Sequence, residues 1–155
     1  MVRPPHILLG EILLHVRVDP DRVYLVGHSI GGNATWALAA HRSERFAAIA
    51  PICGRGNPAL AERLRDLPTW AFHGAEDRVV PQEDSELIVT ALKEAGGVAR
   101  LTVSPGVVHD DRPPTYANRS FFEWLLQHRR GFELRPKCVA SPGMISGCDP
   151  TGKRK

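Results

Sequence analysis

The chain has 155 residues, a formal charge of +3, 43% hydrophobic and 24% charged residues, 14 Gly and 13 Pro, the profile of one globular domain with room for its own core. This excludes collagen, coiled coil, a wholly disordered chain and two independent catalytic domains. From Arg129 onward seven basic residues stand against two acidic ones, so that end carries +5 and the first 128 residues carry −2; a Pro/Gly/Ser-rich basic tail over 131–155 reads as a disordered extension of a domain over 1–130, not as a nucleic-acid-binding face.

The elements in chain order alternate helix and strand periods. Ile7, Leu8, Ile12 and Val16 recur at helical spacing, and Asp19-Pro20-Asp21 ends that helix. The run is far shorter than the roughly 18 apolar residues of a membrane span and has no small-residue cleavage site after it. Val23 to Val26 is a continuous apolar run bounded by Gly27, as in a central strand covered on both faces. A buried helix is expected over 31–42, a second strand over 46–52, a short helix over 59–67 and a third strand over 69–73. An amphipathic helix over 82–95 follows, with Leu87, Ile88, Ala91 and Leu92 on one face, then a fourth strand over 98–103 and a last helix over 117–128. Strands that alternate with helices across short joints predict an α/β fold, a parallel sheet flanked by helices. Cys53, Cys138 and Cys148 are odd in number and lack paired spacing, which points to reduced thiols and a cytoplasmic location.

Chemistry enters at Gly27-His28-Ser29-Ile30-Gly31. Gly-x-Ser-x-Gly is a common string, but here it sits where a strand meets a helix, the setting of a nucleophile elbow. The flanking glycines are expected to serve a strained, closely packed turn that lifts the Ser29 hydroxyl clear of the sheet. The plainer alternative is a serine that caps the helix. A serine nucleophile needs a base held by a carboxylate. Asp77 lies 48 residues on, past the third strand, and His109 another 32 on, past the fourth. All three then sit on loops at the same ends of parallel strands, where open α/β sheets place their sites. Glu76 competes with Asp77, and Asp110 and Asp111 read as solvated charges beside His109. His28, Cys53 and Gly54 are expected to line the pocket, and His73 to neighbour it. The remaining histidines share no metal-ligand spacing, and no metal or cofactor is implied.

The run Val18 to Gly32, with Thr35-Trp36, the stretch from Arg45 to Gly54, Trp70-Ala71-Phe72-His73-Gly74 and Asp77-Arg78-Val79-Val80-Pro81, resembles the α/β-hydrolases. The similarity is greatest to the phospholipase/carboxylesterase, dienelactone-hydrolase-like and prolyl-oligopeptidase-like peptidase group, and extends over residues 7 to about 130. It implies a serine hydrolase acting on an ester or peptide-like acyl bond of a small-molecule or peptide substrate, without nucleic acid or membrane. Ser29 would be the nucleophile, His109 the base and Asp77 the acid; a serine rather than a cysteine at the elbow favours the esterase or peptidase branch. The resemblance also implies that the chain corresponds to the C-terminal half of that fold, with about four strands. The Ile30 backbone N–H would serve as one oxyanion donor, while the second, from a loop after an earlier strand, has no counterpart. The alternative is a non-catalytic remnant that keeps these residues. In either case the strand at Val23 to Val26 would present an apolar edge open to self-association.

Overall fold

The strands form where β-branched, aromatic and alanine residues run uninterrupted between glycine or proline joints. The computed structural model describes residues 5–131; the tail expected beyond, with Cys138 and Cys148, lies outside the described residues. The order is α1 (Pro5–His15), β1 (Tyr24–His28), α2 (Ile30–His41), β2 (Ala48–Ile52), α3 (Ala61–Leu64), β3 (Thr69–Gly74), α4 (Gln82–Glu94), β4 (Ala99–Ser104), α5 (Arg112–Ala117) and α6 (Arg119–Gln127). The four strands make one parallel sheet in the order β1-β2-β3-β4. Sequential parallel order requires each connection to cross over a face of the sheet, and helices make those crossovers.

Strand alternation divides the core into two. Leu25, Ile49, Ala71 and Leu101 face one side, against Trp36 and Ala39 of α2, Leu64 of α3 and Ile88, Val89 and Leu92 of α4. Val26, Ala50, Ile52, Trp70 and Phe72 face the other, where Phe121, Trp124 and Leu125 of α6 cover them. Trp70 and Phe72 stack at 4.9 Å, and Phe121 meets Phe72 edge-on at 5.3 Å, geometries that satisfy the ring quadrupoles. Trp70 Nε1 donates to Thr102 Oγ1 (2.9 Å), so its polar end is not stranded. The three layers leave the carboxyl ends of the strands free to carry loops.

Three features differ from expectation. The first strand, read as central, pairs only with β2 among the described residues, so its outer edge is unpaired. On α1, Ile7, Ile12 and Val16 remain exposed, while Leu9 packs on the core and, with Val23, Tyr24, Leu25, Leu38 and Phe46, borders a hollow of about 150 Å³. The helix α5 was not expected, because Pro113-Pro114 reads as a break. Both prolines instead occupy its first turn, where no intrahelical N–H bond is required. Among the described residues no helix is long and apolar enough to cross a membrane.

The elbow glycines also separate by role. A Cβ on Gly27 would lie 2.2 Å from the Gly31 carbonyl oxygen, and one on Gly32 would lie 2.8 Å from the Gly54 Cα, whereas one on Gly31 meets nothing within 4 Å. The expectation that both motif glycines are sterically required therefore holds for Gly27 only, and Gly32 supplies the second close approach. Gly27→Ala should lower stability by about 1–3 kcal/mol through overpacking, and Gly31→Ala should be neutral or stabilising by up to about 1 kcal/mol through helix propensity. Urea denaturation of the two variants beside the parent checks the contrast.

Candidate active site

Between the last residue of β1 and the first of α2 there is only Ser29. Reversing from strand to helix across one residue forces its backbone to φ 57°, ψ −118°, in the left-handed half of the map that non-glycine residues rarely adopt. Hydrogen bonds on both sides hold it there: the Ser29 N–H donates to the Ile52 carbonyl and the Asn33 N–H donates to the Ser29 carbonyl, both at 2.9 Å. The serine side chain makes no capping bond to α2, which removes the alternative of a simple helix cap. Its Oγ lies 2.7 Å from His109 Nε2.

The other ring nitrogen of His109, Nδ1, lies 2.7 Å from Asp77 Oδ2. Because the ionised carboxylate only accepts, this contact places the proton on Nδ1 and the lone pair on the nitrogen facing Ser29. Asp77 sits in the turn after β3, where its Oδ1 accepts from the N–H groups of Val79 (2.8 Å) and Val80 (2.9 Å). Its carboxylate is closed off from solvent. Burial pushes the Asp77 carboxyl up, but the His109 bond and the Val80 and Val79 N–H groups outweigh burial and hold it below the ordinary carboxylate range. Neighbouring Glu76 is exposed, and its N–H donates to the Val107 carbonyl. His73, fully buried at the end of β3, adds a further contact: its Nε2 donates to the Val80 carbonyl (2.9 Å) and lies 3.2 Å from Asp77 Oδ2, and its Nδ1 pairs with Ser85 Oγ (2.8 Å). His73 therefore braces the loop that carries Asp77.

The loop carrying His109 is fixed from two directions. His28 Nε2 donates to the His109 carbonyl at 2.7 Å, and close packing of Gly74 against the Val107 and Val108 carbonyls leaves no space for a side chain. Asp110 is a surface charge, paired with Arg112 and held by that partner at a pKa of about 2. Asp111, read as solvated, is instead fully buried, and its Oδ1 has no hydrogen-bond partner. Burial pushes its carboxyl up, and Ser104 and Thr115 only partly offset this. A polar residue two places after a candidate base carries no burial signal in the sequence; only the packing of α5 over it does. Cys53 and Gly54 are buried as well, so of the three expected lining residues His28 alone reaches the surface. Cys53 has φ 45°, its N–H donates to the Phe72 carbonyl, and burial pushes its thiol pKa up. Of the other histidines, His15 and His41 are exposed, and His128 packs on Trp124 at 4.7 Å.

Since the folded chain holds the Asp111 proton more tightly than the unfolded chain does, the stability contribution of this residue falls as pH rises from the ordinary carboxylate range through the raised value. Asp111→Asn is neutral throughout. Its thermal midpoint should match the parent near pH 4 and exceed it near pH 7, as scanning calorimetry at both pH values would record.

Comparison with known proteins agrees with this layout. The Dienelactone hydrolase family model matches residues 10–118. The chain is similar to a candidate esterase, NocK, of Nocardia uniformis subsp. tsuyamanensis, 33% identical over 141 residues that make up 90% of this chain and 38% of that protein. It is also similar to a candidate carboxymethylenebutenolidase of Salmonella typhimurium, 27% identical over 129 residues, 71% of this chain and 48% of that one. Among solved structures, a thermostable esterase superposes with a TM-score of 0.77 at 36% identity, over 81% of this chain and 36% of that one. The chain thus spans about half, or less, of the length of these relatives.

Proposed function

The chain belongs to the dienelactone hydrolase family, and we propose that within it this protein is a serine hydrolase that cleaves ester or peptide-like acyl bonds through Ser29, His109 and Asp77. The observation that carries the reading is the unbroken hydrogen-bonded line from Ser29 Oγ through both ring nitrogens of His109 to Asp77, with a distance of 2.7 Å at each joint. Similarity to a thermostable esterase and to the candidate esterase NocK supports an ester of a small molecule as the first substrate to try.

His109 Nε2 takes the Ser29 proton as Oγ attacks the acyl carbon, and the imidazolium then returns that proton to the leaving group. Asp77 keeps the imidazole in the one tautomer that can do this and stabilises the cation that forms. With both Asp77 oxygens occupied by N–H donors, the carboxylate cannot rotate away as the ring becomes charged. The Ile30 N–H, at the first turn of α2 where no intrahelical acceptor exists, faces the position an oxyanion would take beside Ser29. Water completes the cycle by the same base-then-acid sequence at the acyl-enzyme. No cofactor is required for any of these steps.

Two measurements test the proposal. A fluorophosphonate probe should label the parent and leave Ser29→Ala unlabelled, and p-nitrophenyl acetate hydrolysis should depend on Ser29. Asp77→Asn preserves the shape but permits the wrong tautomer, and should reduce kcat by about 10⁴-fold. Hydrolysis and labelling that survive Ser29→Ala, or a folded parent that neither labels nor hydrolyses, would overturn the assignment.

A further inference from the structure

Beside Ser29, three side chains from three different strand ends come together: His28 from β1, Cys53 just past β2 and His109 past β4. One ring nitrogen of each histidine and the Cys53 Sγ lie within 4.8 Å of one another. We propose that these residues form a binding site for a thiophilic divalent cation of the zinc class, and that an ion held there takes the base out of use.

The donor set suits such an ion. Two imidazoles and one thiolate are zinc ligands, and a tetrahedral ion with Zn–S of about 2.3 Å and Zn–N of about 2.0–2.1 Å needs ligand atoms roughly 3.4–3.6 Å apart. The three must therefore draw in by about 1 Å, within the reach of side-chain rotation on loops. The tautomers are already correct. His109 gives its Nδ1 proton to Asp77, and His28 gives its Nε2 proton to the His109 carbonyl, so each ring keeps one lone pair free for a metal. A carboxylate and a backbone carbonyl behind the ligating rings are the outer partners that orient histidines at metal centres. On binding, Cys53 Sγ–H releases its proton to solvent as the metal–sulfur bond forms, and no redox step is involved. Ser29 Oγ or a water supplies the fourth ligand.

A second grouping, Cys53 with His73 and Asp77, is equally close but poorer. Both ring nitrogens of His73 are engaged by Ser85 and Val80, and both Asp77 oxygens accept hydrogen bonds. Binding an ion there would break four contacts, while the His28 and His109 site gives up only the bond from Ser29 to His109.

The loss of activity rests on the serine-hydrolase reading, whereas the binding does not, and the test separates them. The full chain carrying Cys138→Ser and Cys148→Ser, so that Cys53 is its one thiol, is titrated with Co²⁺ and then with Zn²⁺. The expected result is one Co²⁺ per chain with a sulfur-to-cobalt charge-transfer band, displaced by Zn²⁺, and slower fluorophosphonate labelling of Ser29 when Zn²⁺ saturates. Cys53→Ser should abolish the band. His28→Gln, at a half-buried position and so safer for folding, should weaken binding by more than the roughly 10–100-fold that loss of an outer partner costs. Absence of the band in the folded chain, or unchanged affinity in His28→Gln, would overturn the site; labelling that proceeds unslowed at saturating Zn²⁺ would overturn its effect on the base. A chain that shows the band but neither labels nor hydrolyses would keep the site and refute the hydrolase reading instead.

Discussion

Everything at the candidate site depends on one residue held in an unfavourable backbone conformation. A serine at φ 57° costs of the order of 1–3 kcal/mol relative to an extended or helical one, and it persists because the neighbourhood over-determines it. Ser29 is tied through its N–H to β2 and through its carbonyl to α2, and Gly27 lets the chain pass under the Gly31 carbonyl. The same strain recurs one strand over, where Cys53 has φ 45°. The two left-handed residues lie side by side because Gly32 and Gly54 bring α2 against the end of β2 closely enough to exclude any side chain. Relaxing either turn would move Ser29 Oγ out of reach of His109.

The parallel sheet then does the gathering. Sequential order places the four strand ends in a row, so the four loops that follow them are neighbours although the residues they carry span 80 positions from Ser29 to His109. Loops alone would not hold a 2.7 Å geometry. Here each is cross-braced to the next: Asn33 Oδ1 accepts from the Arg55 N–H, Arg55 pairs with Asp84 at the start of α4, His73 links β3 to Ser85 and Val80, and His28 reaches across to the His109 carbonyl. Most of these braces are side chain to backbone, which fixes loop position without relying on exposed ion pairs that contribute little.

Local patterns made the sheet and most helices legible in advance, because buried parallel strands read as apolar runs and α4 shows a clean helical period with acids in its first turn. The serine, the acid and the histidine were legible from motif and loop order together. What escaped was set by tertiary contacts. Pro113-Pro114 can end a helix or begin one, and only the docking of α5 decides which. Asp111 is as hydrophilic as Asp110, yet one is buried and the other is at the surface, and nothing within two residues of either separates them. Gly31 looked equivalent to Gly27 in the motif, but steric need depends on which neighbour stands opposite, and the space opposite Gly31 is open.

A histidine that can act as a base must be neutral, locked in one tautomer and partly open to the substrate, and His109 satisfies this with a side chain 24% exposed. Those conditions also describe a good metal ligand. Most sites avoid the conflict by keeping other soft donors away. Here the left-handed turn that seats Cys53 brings a thiol to the same lone pair, and His28, recruited to anchor the His109 loop, leaves its own second nitrogen facing inward. The protection against occupancy is then the Ser29 proton itself: the 2.7 Å bond from its hydroxyl to His109 Nε2 must break before an ion can take that nitrogen. Substrate attack breaks the same bond. Once Ser29 is acylated, Oγ no longer has a proton to offer, and the only hydrogen-bond competitor for the His109 lone pair is the water that deacylates the enzyme. The acyl-enzyme is therefore the state in which the base is least defended against a thiophilic ion.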